Sequence, residues 1–160
     1  MFTRIAKSCP ALILAFALVS APATAQTASG DGIVRVKSAH SMEETIARLK
    51  KDIADKGITF FLQVEQSRLA AEAGIKVPSS TLLIFGNPPL GTQFLKAKPQ
   101  AGIDWPVRLL VQQDEKGDVW AIYTDFLWIA RRHGITEADQ APFKTASGVI
   151  ASITSSVKAR

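Results

Sequence analysis

The sequence predicts an α+β fold: a two-layer sandwich in which helices cover one face of a largely antiparallel sheet. Three observations carry this. Helical and strand patterns are interspersed along one chain of domain size. Two strand patterns, at 107–113 and 119–124, are separated only by DEKGD, whose acidic, lysine and glycine residues form turns, so the two pair as a hairpin. The strands at 58–64 and 80–85 are almost wholly apolar, which predicts central positions, covered by helices on one side and by a second subunit on the other.

The elements follow in order. Ile33, Val34, Arg35, Val36 and Lys37 alternate as a first strand, and Met42, Ile46, Leu49 and Ile53 then recur at helical spacing. Ser41 with Glu44 three residues on has the form of a capping box, and Gly57 follows as a stop, which sets a helix over 42–56. After the strand at 58–64, a short helix over 67–73 closes at Gly74, and the strand at 80–85 is bounded by Pro78 and Gly86. Pro88 and Pro89 suit a first helical turn, where the missing N–H has no partner, so 88–98 reads as a helix and 100–104 as a connector. After the hairpin, Asp125 caps a helix through His133 that ends at Gly134. Thr136 with Asp139 opens a last helix, which Pro142 and Gly148 interrupt and whose Ser-, Thr- and Ala-rich tail frays.

The first 25 residues differ in kind. Arg4 and Lys7 precede an apolar run from Ala11 to Val19, and Ala23-Thr24-Ala25 fits the small-x-small rule, so the sequence predicts a secretory signal peptide cut between Ala25 and Gln26. A retained N-terminal anchor is the alternative. The apolar run is about nine residues, well short of the roughly 20 that cross a bilayer, so no membrane span is expected after cleavage and the destination is the periplasm or the medium. Cys9, the single cysteine, leaves with the signal, which excludes disulfides, thiolate metal sites and a cysteine nucleophile. Of 19 basic and 14 acidic residues, Arg4 and Lys7 leave too; 17 against 14 gives +3, with basic residues clustered only in pairs, so nucleic acid is disfavoured as a partner. The resulting organisation is a signal at 1–25, a flexible leader at 26–32, a domain at 33–135 and a C-terminal helical extension at 136–160.

The run TLLIFGNPPLG, Thr81 to Gly91, places Asn87 on the rim of the sheet, where its amide can orient a polar ligand or hold the turn through the backbone. Glu65, Asp104 and Tyr123 are the polar groups at strand ends that would join Asn87 in a ligand site. Paired carboxylates can divide acid and base roles when burial separates their pKa values. Asp125 reads as an N-cap, and proline restricts the backbone near Asp104. His40 and His133 are the two histidines; without an i, i+4 ligand partner they point to structural roles, and no metal site or cofactor is expected. Arg108 alternates with Val107 and Leu109 and points away from the core, towards a dimer face.

SMEETIARLKKDIADKGITFFLQVEQSRLAAEAG, then TLLIFGNPPLGTQFLKAKPQAGIDWPVRLLVQQDEKGDVWAIYTD, then a helix ending in RRHG, resemble the domain of unknown function 302 family over residues 33–135. The resemblance implies a compact α+β domain, often a homodimer, without an established activity. The segment after the second strand often reads Asp-His in relatives and is Glu65-Gln66 here, so a metal or proton-transfer role of that histidine would be lost. The expectation is an exported, non-enzymatic module that binds a small ligand or a protein partner, as a homodimer. The alternative is a hydrolase or isomerase-like enzyme using Glu65, Asp104 or Tyr123 near Asn87. Convergence of those four side chains in one pocket favours ligand or enzyme; a flat apolar sheet face favours a partner.

Overall fold

The computed structural model describes residues 30–159; the expected signal peptide and residues 26–29 of the leader lie outside them. The strands are β1 (Ile33–Lys37), β2 (Thr59–Val64), β3 (Ser80–Gly86), β4 (Val107–Gln113) and β5 (Val119–Thr124). The helices are α1 (Met42–Asp55), α2 (Gln66–Glu72), α3 (Pro88–Ala97), α4 (Phe126–Arg132) and α5 (Ala141–Ser155), with a 3-10 turn at Pro99–Asp104. The sheet runs β1-β5-β4-β3-β2 with every neighbouring pair antiparallel.

Alternation along the strands separates two faces. Val34, Val36, Leu83, Phe85, Leu109, Val111 and Ala121 are buried against the helices. Leu82, Ile84, Leu110 and Ile122 are half-buried on the other face, where Leu82 pairs with Leu110 and Leu110 with Ile122. The helical layer supplies Leu49 and Ile53 from α1, Phe126 and Ile129 from α4, and Phe143, Ile150 and Ile153 from α5. Phe94 of α3 stacks on Phe143, with centroids 4.2 Å apart and rings 12° from parallel.

Three local expectations change. The apolar β2 is an edge strand, and β4 holds the centre. Hydropathy reports how apolar a strand is and not which neighbours it pairs with, so a sticky edge and a central strand look alike in sequence. Ser41 Oγ accepts from the Glu44 N–H at 3.2 Å, but the Glu44 carboxylate turns to Arg48, 2.7 Å away, so only one half of the capping box forms. The final helix does not begin at Thr136 or break at Pro142. A 3-10 turn occupies Glu137–Asp139, and α5 starts at Ala141 with proline in its first turn, where no intrahelical donor is lost. Residues 136–160, read from sequence as an extension, contribute Phe143, Ala146, Ile150, Ile153 and Val157 to the same core as the strands.

Candidate functional site

The end of the sheet where β3 and β5 finish and β4 begins gathers most of the polar chemistry. Gly86 closes β3, and Asn87 caps α3: its Oδ1 accepts from the Leu90 N–H at 3.2 Å. Pro88 and Pro89 have no N–H, the Leu90 N–H is taken by Asn87, and the Gly91 N–H donates to the Asn87 carbonyl at 2.8 Å. This helix N-terminus therefore has no free first-turn donor with which to hold an anion. The indole of Trp105 lies across the turn, and a Cβ at Gly91 would overlap it. Glycine is needed at Gly91 for that close approach, while its φ is not in the left-handed region. The seat is completed by Phe61, edge-on to Trp105 at 6.3 Å.

Asn87 faces a cleft between α3 and α5 of about 420 Å³, and beneath it a narrow apolar cavity of about 30 Å³ is closed by Phe85, Phe94, Trp105, Phe126 and Ile150. Asp104 opens on a separate small cavity beside Arg108, Thr124 and Ile129. Tyr123 and Glu65 line none of these three. Glu65 sits at the far end of the β2–β3 hairpin, where Val64 pairs with Leu82, and it pairs with Arg68 at 3.2 Å. Five residues of strand from Leu82 to Asn87 amount to roughly 17 Å. The structure thus brings Asn87 and Asp104 to one end of the sheet, each at its own cavity, and leaves Glu65 apart.

Asp104 is the most heavily partnered carboxylate here. Its side chain is 5 % exposed and accepts from Arg132 Nη1 at 3.2 Å and from Arg108 Nη2 at 3.4 Å. It also meets His133 Nε2 at 2.7 Å, and the His133 side chain is only 10 % exposed. The last turn of α4 delivers Arg132 and His133, and β4 delivers Arg108, so Asp104 ties that helix to the start of the central strand. The sequence singles out Asp104 and Arg108 but not the pairing of Asp104 with His133, 29 residues away; no spacing rule covers such a pair. His40 does have a partner at i, i+4: its Nδ1 lies 3.4 Å from Glu44 Oε1. The three contacts on Glu44, led by the Arg48 hydrogen bond and joined by His40, hold its carboxyl below the usual range. Among the described residues no group of three or more His, Cys, Asp or Glu is placed to hold a metal.

Tyr123 faces the helical layer, and burial pushes its phenol above the ordinary value, with the nearby Asp125 charge adding to the rise and the Thr154 hydroxyl opposing it. A folded pKa above the unfolded one means that the contribution to stability is intact below about pH 10 and is lost as pH rises through the folded value. Because the chain has one tyrosine, its ultraviolet tyrosinate band reads this group alone. The expected titration in the native protein lies above that in urea, and Tyr123→Phe flattens the alkaline fall in melting temperature. Coincident native and unfolded titrations would contradict the burial argument.

The family model of the domain of unknown function DUF302 matches residues 34–153. The chain belongs to the DUF302 family. The crystal structure of an uncharacterized conserved DUF302 protein from Bacillus stearothermophilus has the same fold: TM-score 0.73 at 18 % identity, over 79 % of this chain and 98 % of that one. Two longer relatives are the proteins named Fluoride-specific ion channel FluC 1 of Brucella suis biovar 1 (strain 1330) and of Brucella abortus biovar 1 (strain 9-941). Each is 39 % identical over 104 residues, which is 65 % of this chain and 41 % or 38 % of theirs. This chain thus matches about two fifths of the length of those relatives. The DUF302 match includes α5 through Ile153, in agreement with the burial of that helix in the core.

Proposed function

We propose that this DUF302 domain is a non-enzymatic protein-partner module that forms a homodimer through β2 and the open face of its sheet. The observation that supports it most is the state of β2: Phe61 and Leu62 are 44 % and 48 % exposed on an unpaired edge. Next to them the outer face carries Leu82, Ile84, Leu110 and Ile122. The opposite edge, β1, is protected by Arg35 and Lys37, charges that disfavour strand addition, whereas β2 carries no charged residue from Thr59 to Val64. An apolar edge left without such protection fits assembly by strand pairing or by packing of one sheet face on another. The carboxylate-based enzyme alternative has less support, since Glu65 and Asp104 stand at opposite ends of the sheet.

The relatives' channel function is not carried over. Only 104 residues are shared, and no helix among the described residues is long and apolar enough to cross a membrane. Export is part of the proposal, supported by the Arg4–Ala25 signal pattern; a mature mass beginning at Gln26 is expected, and one beginning at Met1 removes this part. Assembly is tested by sedimentation equilibrium at micromolar concentration. The wild type is expected as a dimer and Leu62→Lys as a folded monomer; a monomeric wild type overturns the reading.

A further inference from the structure

We infer that the cleft between α3 and α5 binds a small amphipathic carboxylate, with its apolar chain or ring directed into the domain and its carboxylate at Lys56 and Asn87. The cleft lies in the helical layer, on the other side of the sheet from the assembly face, so the inference does not rest on the dimer.

Its size, about 420 Å³, is that of an ordinary small-molecule site. Inward, it shares Ile58, Leu90 and Val149 with the narrow cavity whose floor is Phe94, Trp105 and Ile150, so the route leads from a polar rim to a largely apolar floor. Gly148 forms part of the α5 wall, and a Cβ there would meet nothing within 4 Å. A glycine inside a helix is unfavourable relative to alanine, and here no tight contact or positive φ calls for one. Gly148 is exposed and lines the cleft, so a larger side chain at this position has room to occupy it.

The polar groups at the rim set the chemistry of the other end. Lys56 is the single charged residue lining the cleft, and its ammonium gives one of its three hydrogens to Asp52, 2.7 Å away. The Oδ1 of Asn87 is taken by the cap, while its two amide hydrogens have no partner among the described residues and the residue lines the cleft. A cation with spare hydrogens beside a free amide donor is complementary to an anionic acceptor. A carboxylate at the end of an apolar body supplies that acceptor and fills the floor.

Octanoate, octan-1-ol and acetate, each titrated calorimetrically into the full chain after signal removal, test this. Octanoate is expected to bind saturably at one site per chain, octan-1-ol about tenfold more weakly for want of the charged contact, and acetate not measurably. Gly148→Leu is expected to keep or raise the melting temperature, since it fills open space, and to abolish octanoate binding. Lys56→Gln is expected to weaken octanoate to the level of the alcohol while leaving the alcohol unchanged. No saturable octanoate binding to the wild type, or full binding by Gly148→Leu, overturns the site. Equal binding of acid and alcohol, or an unaffected Lys56→Gln, overturns the carboxylate. Repeating the octanoate titration on Leu62→Lys separates the two readings: retained binding in a monomer supports the site whatever the fate of the dimer, and binding lost with the dimer overturns it as a site within one chain.

Discussion

Replacing Phe143 with alanine is expected to lower the unfolding free energy by about 4 kcal/mol. Phe143 is fully buried, stacks on Phe94 at 4.2 Å and sits in the first turns of α5, where it fastens that helix to α3. Phe94 in turn contacts Phe126 of α4, with centroids 5.6 Å apart, so three helices meet around one aromatic cluster. The cavity left by a missing ring cannot close without moving those helices, which is why the cost exceeds that of simply exposing the ring. Urea unfolding measures it as a lower midpoint with little change in slope. A loss under about 1 kcal/mol would mean that α5 is not an integral part of the domain.

The second large effect is expected at Asp104. Truncation to alanine removes the acceptor shared by Arg132, Arg108 and His133 and is expected to cost about 3 kcal/mol. The two guanidiniums are about half exposed and can return to water, so their share is discounted; the nearly buried imidazole of His133 cannot rehydrate as freely. A double-mutant cycle of Asp104→Ala with His133→Ala should therefore give a coupling of about 1 kcal/mol or more, and the cycle with Arg108→Ala a smaller one. The exposed pair of Lys51 and Asp55 provides the contrast, since Asp55→Ala is expected to change stability by no more than about 0.5 kcal/mol. Equal costs at Asp104 and Asp55 would contradict the buried-hub account.

Much of the fold is legible locally. The spacing of Met42, Ile46, Leu49 and Ile53 marks α1, and the DEKGD turn marks the hairpin, because each depends on interactions within a few residues of chain. The Asp114 carboxyl shows how local that turn is: it accepts from the Lys116 and Asp118 N–H groups and from the Trp120 indole. Caps at Ser41, Asn87 and Asp125 form for the same reason. The candidate sites are only partly legible. Asn87, Asp104 and Tyr123 stand out as polar groups at strand ends, but what they touch is set by elements far away in sequence. His133 meets Asp104 across 29 residues, and Gly148, which looks like a helix defect, is the open wall of a cleft.

By itself the sequence determined the α+β class, nearly all of the elements, the caps at Ser41 and Asp125 and the membership implied by the ordered landmarks from Ser41 to Gly134. These follow from short-range periodicity and from backbone preferences of single residues. Only the tertiary structure decided that β2 is an edge, that α5 belongs to the core, that Glu65 stands apart from Asn87, and that Asp104 is a buried hub. Each of those depends on which segments pair across long stretches of chain, and hydrophobic pattern is nearly silent about pairing because an apolar strand satisfies a core and an interface equally well.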